Sequence, residues 1–82
     1  MKKIRVHPNV ADEVRAVERR AALNILSSIH RYAATGTGNV RALSGAFEGL
    51  FRLRVGDHCV IFEENGTTIT VHHILHRKDA YR

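Results

Sequence analysis

Apolar and polar positions change their period twice along the chain. Residues 3 to 7, Lys-Ile-Arg-Val-His, alternate, which predicts a short half-buried strand. Pro8-Asn9 ends it. Asn9 is then the expected N-cap of a helix, with Asp12 and Glu13 in the first turn, where carboxylates favour the helix dipole. From Val10 to about Ala34 the apolar residues recur at three- and four-residue steps: Val14, Val17, Ala21, Ile25, Ile29 and Tyr32. Ala22, Leu26 and Ala33 widen this stripe. Such a span is long for one helix in so short a chain. One continuous helix and a helical hairpin broken near Glu18–Arg20 both fit the pattern. Thr35-Gly36-Thr37-Gly38-Asn39 stops it.

The second half reads as sheet. Between Val40 and Gly49, Leu43 and Phe47 are the expected core anchors, with Gly45 and Gly49 as turn points. Leu50 to Val55 alternates: Phe51, Leu53 and Val55 face one way, Arg52 and Arg54 the other. Gly56-Asp57 is a turn pair. His58 to Glu63 is apolar enough for a central strand. Asn65-Gly66 is a strong hairpin signal, and Thr68 to His76 forms the last long strand. The fold class is therefore α+β. A short N-terminal strand and one or two helices precede a three-stranded antiparallel meander, with the helices on one face of the sheet. The arginine-bearing face, bordered by Arg77 and Tyr81, makes a basic concavity suited to a phosphodiester backbone better than to a small apolar ligand.

Composition narrows the picture. Eighty-two residues make one domain, 1–82, with a small core. Thirteen Lys and Arg against eight acids give a net charge of +5, which favours phosphate-rich or acidic partners. Cys59 is the only cysteine, so no internal disulfide forms, and a lone thiol in an apolar run suits a reducing cytoplasm. It reads as a small buried apolar residue rather than a nucleophile. No apolar region follows Met1-Lys2-Lys3 as a signal peptide requires, and no run approaches the ~18–20 apolar residues of a membrane span. His72, His73 and His76 fall on opposite strand faces by alternation, which argues against a shared metal site. Neither metal nor cofactor is expected.

Leu43 to Arg82 carries a more specific pattern. It contains Leu43-Ser44-Gly45, then Gly49-Leu50-Phe51-Arg52-Leu53-Arg54-Val55-Gly56-Asp57. Val60-Ile61-Phe62 follows, and the chain ends His76-Arg77-Lys78-Asp79-Ala80-Tyr81-Arg82. In order, spacing and residue type this half of the chain resembles the RelE/ParE toxin superfamily of type II toxin–antitoxin systems. The resemblance implies a compact β-α-α-β-β-β fold and a cognate antitoxin partner, hence a hetero-oligomer. It also implies one of two activities. RelE-like members cleave mRNA on the ribosome; ParE-like members inhibit DNA gyrase without nuclease activity. A toxin with impaired catalysis that mainly binds its antitoxin is a third possibility.

RNA cleavage of this kind uses the ribose 2′-OH as nucleophile. It needs charge stabilisation on the phosphate and proton transfer at both oxygens, and it proceeds without a metal. By resemblance, Arg52, Arg54, Arg77 and Tyr81 are the catalytic candidates. Arg52, Arg54, Arg77, Lys78 and Arg82 form the RNA-binding set, and Tyr81 is suited to stacking on an unpaired base. Many superfamily members read glycine–aspartate–tyrosine–arginine where this chain has Gly56-Asp57-His58-Cys59. The arginine is thus replaced by Cys59. His58 and His76, with His72, are the candidates for acid–base work, since imidazole titrates near neutrality.

Overall fold

The structure is a computed structural model, which describes residues 1–76. Its elements run β1 (Lys3–Val6), α1 (Pro8–Arg15), α2 (Arg19–Thr35), β2 (Val40–Ala42), a 3-10 turn (Gly45–Phe47), β3 (Phe51–Val55), β4 (His58–Glu64) and β5 (Thr68–His76). The five strands form one mixed sheet in the order β1-β5-β4-β3-β2. β3, β4 and β5 are the expected antiparallel meander. β1 crosses over to pair parallel with β5, Ile4 opposite Ile69. β2 adds an antiparallel edge to β3. That strand was not expected, because three residues reading Val-Arg-Ala are too few to show a period.

The helical segment is a hairpin, broken between Arg15 and Arg19. A single helix over 10–34 would be roughly 37 Å long at 1.5 Å per residue. The molecule's longest dimension is 31 Å, so one rod would overhang the sheet. The break folds both apolar faces onto the same side. Val10 from α1 and Ile25, Ile29 and Ala33 from α2 are buried against Leu53, Val60, Phe62, Ile69, Val71 and Ile74. Phe62 is the largest fully buried side chain. It stacks on Phe51 at 5.7 Å and meets the edge of Tyr32 at 5.5 Å. Leu26 is 43% exposed and lies at the margin of the stripe.

The turns follow backbone chemistry. Gly36 closes α2 with a left-handed φ of 75°, its N–H donating to the Tyr32 carbonyl. Gly56 sits at φ 59°, as the first central residue of a type II′ hairpin turn requires. The Asn65 turn works differently from the left-handed Asn-Gly form: the Asn65 Oδ1 accepts from the Thr67 and Thr68 N–H groups at 2.9 and 2.8 Å.

The start of α1 departs from the sequence reading. His7 occupies the N-cap position with no side-chain cap, and Pro8 opens the helix. Proline supplies a helical φ and has no N–H to satisfy there. Asp12 and Glu13 therefore lie beyond the first turn. Asn9 is released for another task, donating to the His72 carbonyl at 2.9 Å.

Candidate nucleic-acid interface

Strand register decides which side chains meet. Arg41 of β2 lies directly opposite Arg52 of β3, and Arg52 in turn opposes Ile61 of β4. Arg54 opposes Cys59. Leu53, Val60 and Phe62 face the helices, so Arg41, Arg52 and Arg54 share the opposite face by alternation. Like charges directly opposite each other cost a sheet up to ~1 kcal/mol. Arg54 turns toward the hairpin tip, its Nε donating to the Gly56 carbonyl at 3.4 Å. Cys59 is buried beneath this row, 1% exposed.

The concavity on this face is not purely basic. A cavity of about 400 Å³ has Leu43, Phe47, Leu50, Ile61 and Leu75 for its walls. Arg52, His72 and His73 supply its polar lining. Phe47 is 60% exposed, so it lines the cavity instead of anchoring the core. The reason is local. The 3-10 turn between Gly45 (φ 66°) and Gly49 (φ 93°) lifts residues 45 to 47 off the sheet. Leu43 is half-buried and lines the same cavity.

The histidines separate into two groups. His58 and His76 are cross-strand neighbours with ring centroids 5.2 Å apart. They border a cavity of about 220 Å³ on the helix side, together with Glu18, Asn24 and Asp57. Gly56 and Asp57 of the hairpin tip also line this cavity, and the sheet separates it from the arginine face. His72 and His73 behave otherwise than simple alternation suggests. The β4–β5 register shifts between Ile61 and Phe62, which leaves His72 without a paired residue. As a result both His72 and His73 line the apolar cavity. The His72 Nε2 lies 3.0 Å from Glu63 and its ring 4.9 Å from His7. Among the described residues no three His, Cys, Asp or Glu side chains are grouped to hold a metal ion.

Two polar anchors tie the helices to the sheet, and the sequence reading missed both. Glu13 accepts from the Ile74 N–H and from His73, each at 2.9 Å, and from Asn9. Burial alone would raise its carboxyl, but these hydrogen bonds outweigh burial and hold it below its ordinary value. Asn9 and Glu13 are four apart on α1 and therefore share a face. They satisfy the edge of β5 where β1 has ended, at the His72 carbonyl and the Ile74 N–H. The second anchor is Glu64. Burial pushes its carboxyl up, yet bonds from Lys2 at 2.6 Å and Tyr32 at 2.7 Å bring it below the ordinary value. Burial, and then the bond to Glu64, push the Tyr32 phenol up to about 12. The Asn9-to-Glu13 spacing was a usable signal; nothing local links Lys2, Tyr32 and Glu64.

Arg77, Lys78, Tyr81 and Arg82, expected at the same site, lie outside the described residues. Of the candidates that are described, Arg52 and Arg54 are together on the open face, and His58 and His76 are together on the other.

Solved structures share this architecture. The chain matches the RelB–RelE antitoxin–toxin complex of Methanococcus jannaschii with a TM-score of 0.77 and 22% identity, over 94% of each chain. It matches a YafQ mutant of E. coli with a TM-score of 0.79 and 10% identity, over the whole of both chains. The RelBE2 toxin–antitoxin complex of Mycobacterium tuberculosis aligns with a TM-score of 0.68 and 18% identity, over 93% of this chain and 98% of that one. The chain has the fold of RelE-type toxins. No family model and no curated protein matches its sequence.

Proposed function

We propose that this chain is the toxin of a type II toxin–antitoxin pair and an endoribonuclease that cuts mRNA on the ribosome. The observation behind this reading is the row of guanidinium groups, Arg41, Arg52 and Arg54, on the open face of a RelE-type sheet. Guanidinium stays charged at any physiological pH, and its fork pairs two phosphate oxygens at once. Placed beside a scissile phosphate, Arg52 and Arg54 stabilise the charge that grows as the ribose 2′-OH attacks. Arg77 and Tyr81 complete the catalytic set, with Lys78 and Arg82 adding affinity. His58 and His76 stand on the opposite face of the sheet, away from that phosphate, which leaves His72, beside Arg52 on the open face, and Tyr81 as the groups for proton transfer. A cognate antitoxin is the partner that restrains the activity, as RelB accompanies RelE in the Methanococcus jannaschii complex.

One observation favours a second reading, a gyrase inhibitor without nuclease activity. Cys59 lies buried where many superfamily nucleases present an arginine, so this face carries one phosphate ligand fewer. Induction of the protein in cells separates the two. If protein synthesis stops before DNA replication, and Arg77→Ala relieves the arrest, the nuclease reading stands. Replication stopping first, or an Arg77→Ala variant that arrests growth equally well, ends it.

A further inference from the structure

We infer that the apolar cavity beside Arg52 is a seat for one unpaired nucleobase, with Phe47 as its stacking platform; the inference rests on the RNA-binding reading above. Phe47 stands 60% exposed over a cavity walled by Leu43, Leu50, Ile61 and Leu75, so it belongs to a contiguous open apolar surface of the kind that meets a ligand. Its position is fixed rather than accidental. The Phe47 N–H donates to the Ser44 carbonyl, and the Phe47 carbonyl accepts from Leu50. Gly45 and Gly49 both hold left-handed φ values that other residues rarely adopt, so this backbone delivers the ring to the cavity.

The surroundings specify the ligand. Leu43, Leu50 and Ile61 give an apolar floor, and the volume of about 400 Å³ takes a single planar group with room to spare. His73, held by Glu13, and His72, held by Glu63, present imidazole edges able to pair with a base edge. Arg52 lines the same cavity, with Arg41 across from it. A nucleotide joins a phosphate and a flat π-face within one residue, so a phosphate at Arg52 brings its base to Phe47. Every base has such a face, and stacking on an aromatic ring tolerates any sequence. A protein segment needs several such anchors to reach the roughly 800 Å² per partner of a stable interface. One cavity lined by Arg52, with Arg41 across from it, suits a polyanion better.

The test uses two short single-stranded 2′-O-methyl oligoribonucleotides, one intact and one with a central abasic residue. The methyl group blocks attack by the 2′ oxygen, so the probe survives whatever the activity. Affinities are read by fluorescence anisotropy. The wild-type protein is expected to bind the intact strand roughly ten-fold more tightly than the abasic one. Phe47→Ala is expected to bind both alike at the abasic level, and Phe47→Trp to restore the preference. Because Phe47 lies outside the core, its variants should keep the wild-type thermal midpoint, which circular dichroism checks. Arg52→Ala is expected to weaken both strands equally. A wild-type protein that binds both strands equally overturns the base seat and leaves RNA binding standing. Phe47→Ala with full preference for the intact strand also overturns the seat and gives the cavity to a protein partner. Binding to neither strand sinks the seat and the RNA reading together.

Discussion

Replacing Glu13 with Ala tests how α1 holds the β5 edge. The change removes the acceptor for the Ile74 N–H, and Ile74 is only 6% exposed. Leaving a buried N–H unpaired costs about 1–3 kcal/mol. The bond to His73 adds less, at most about 1 kcal/mol, because the His73 side chain is half in solvent. Together these give a loss of about 1–4 kcal/mol, with about 2 kcal/mol as the central value. A chain of this length has roughly 4–12 kcal/mol of total stability. The thermal midpoint should therefore fall by roughly 10–15 °C. Glu13→Gln keeps an oxygen facing Ile74 and should lose about half as much. The pH dependence follows from the depressed carboxyl. Its stabilisation is fully present above the ordinary value of 4.5 and is lost as pH falls through the lower folded value. On acidification the wild type should approach the Gln variant. Urea titrations followed by circular dichroism, at neutral and acidic pH, measure both effects. An Ala variant with the wild-type midpoint, or a wild-type-to-Gln gap that does not change with pH, would refute the anchor.

Tyr32→Phe removes a phenol whose folded value is pushed up to about 12 from 10.0. The wild type should lose stability as pH rises between those values, and Phe should lack that part of the decline, as paired denaturation curves would show. Gly36→Ala puts a Cβ into a left-handed C-cap and should cost about 1 kcal/mol in the same assay, although the site itself is open. RNA affinity should fall with salt at a slope of about −0.7 per phosphate neutralised, or about −2 for Arg41, Arg52 and Arg54 together. Arg54→Ala should flatten that slope by about 0.7 without changing base preference.

The strands β3, β4 and β5 were legible because each is long enough to show a period and is bounded by turn residues. The split of Arg52 and Arg54 from Phe51, Leu53 and Val55 followed from alternation alone. The apolar cavity was not legible, for two reasons. Phe47 looks like a core residue by composition, and only the left-handed backbone at Gly45 and Gly49 lifts it onto the open face. His72 and His73 should lie on opposite faces, and the register shift in β5 cancels that rule. The Lys2–Tyr32–Glu64 cluster joins residues far apart in sequence, and no local pattern marks such a contact. The expectation of an antitoxin partner and of a reaction class came from the resemblance in the second half of the chain, since no periodicity carries either.

The guanidinium row is tested most directly by primer extension on mRNA from cells making this protein. The wild type should leave new 5′ ends within translated messages, and a variant carrying both Arg52→Ala and Arg54→Ala should leave none while accumulating to the same level. New ends that persist in the double variant, or none with the wild type while growth still stops, would contradict a nuclease built on that face.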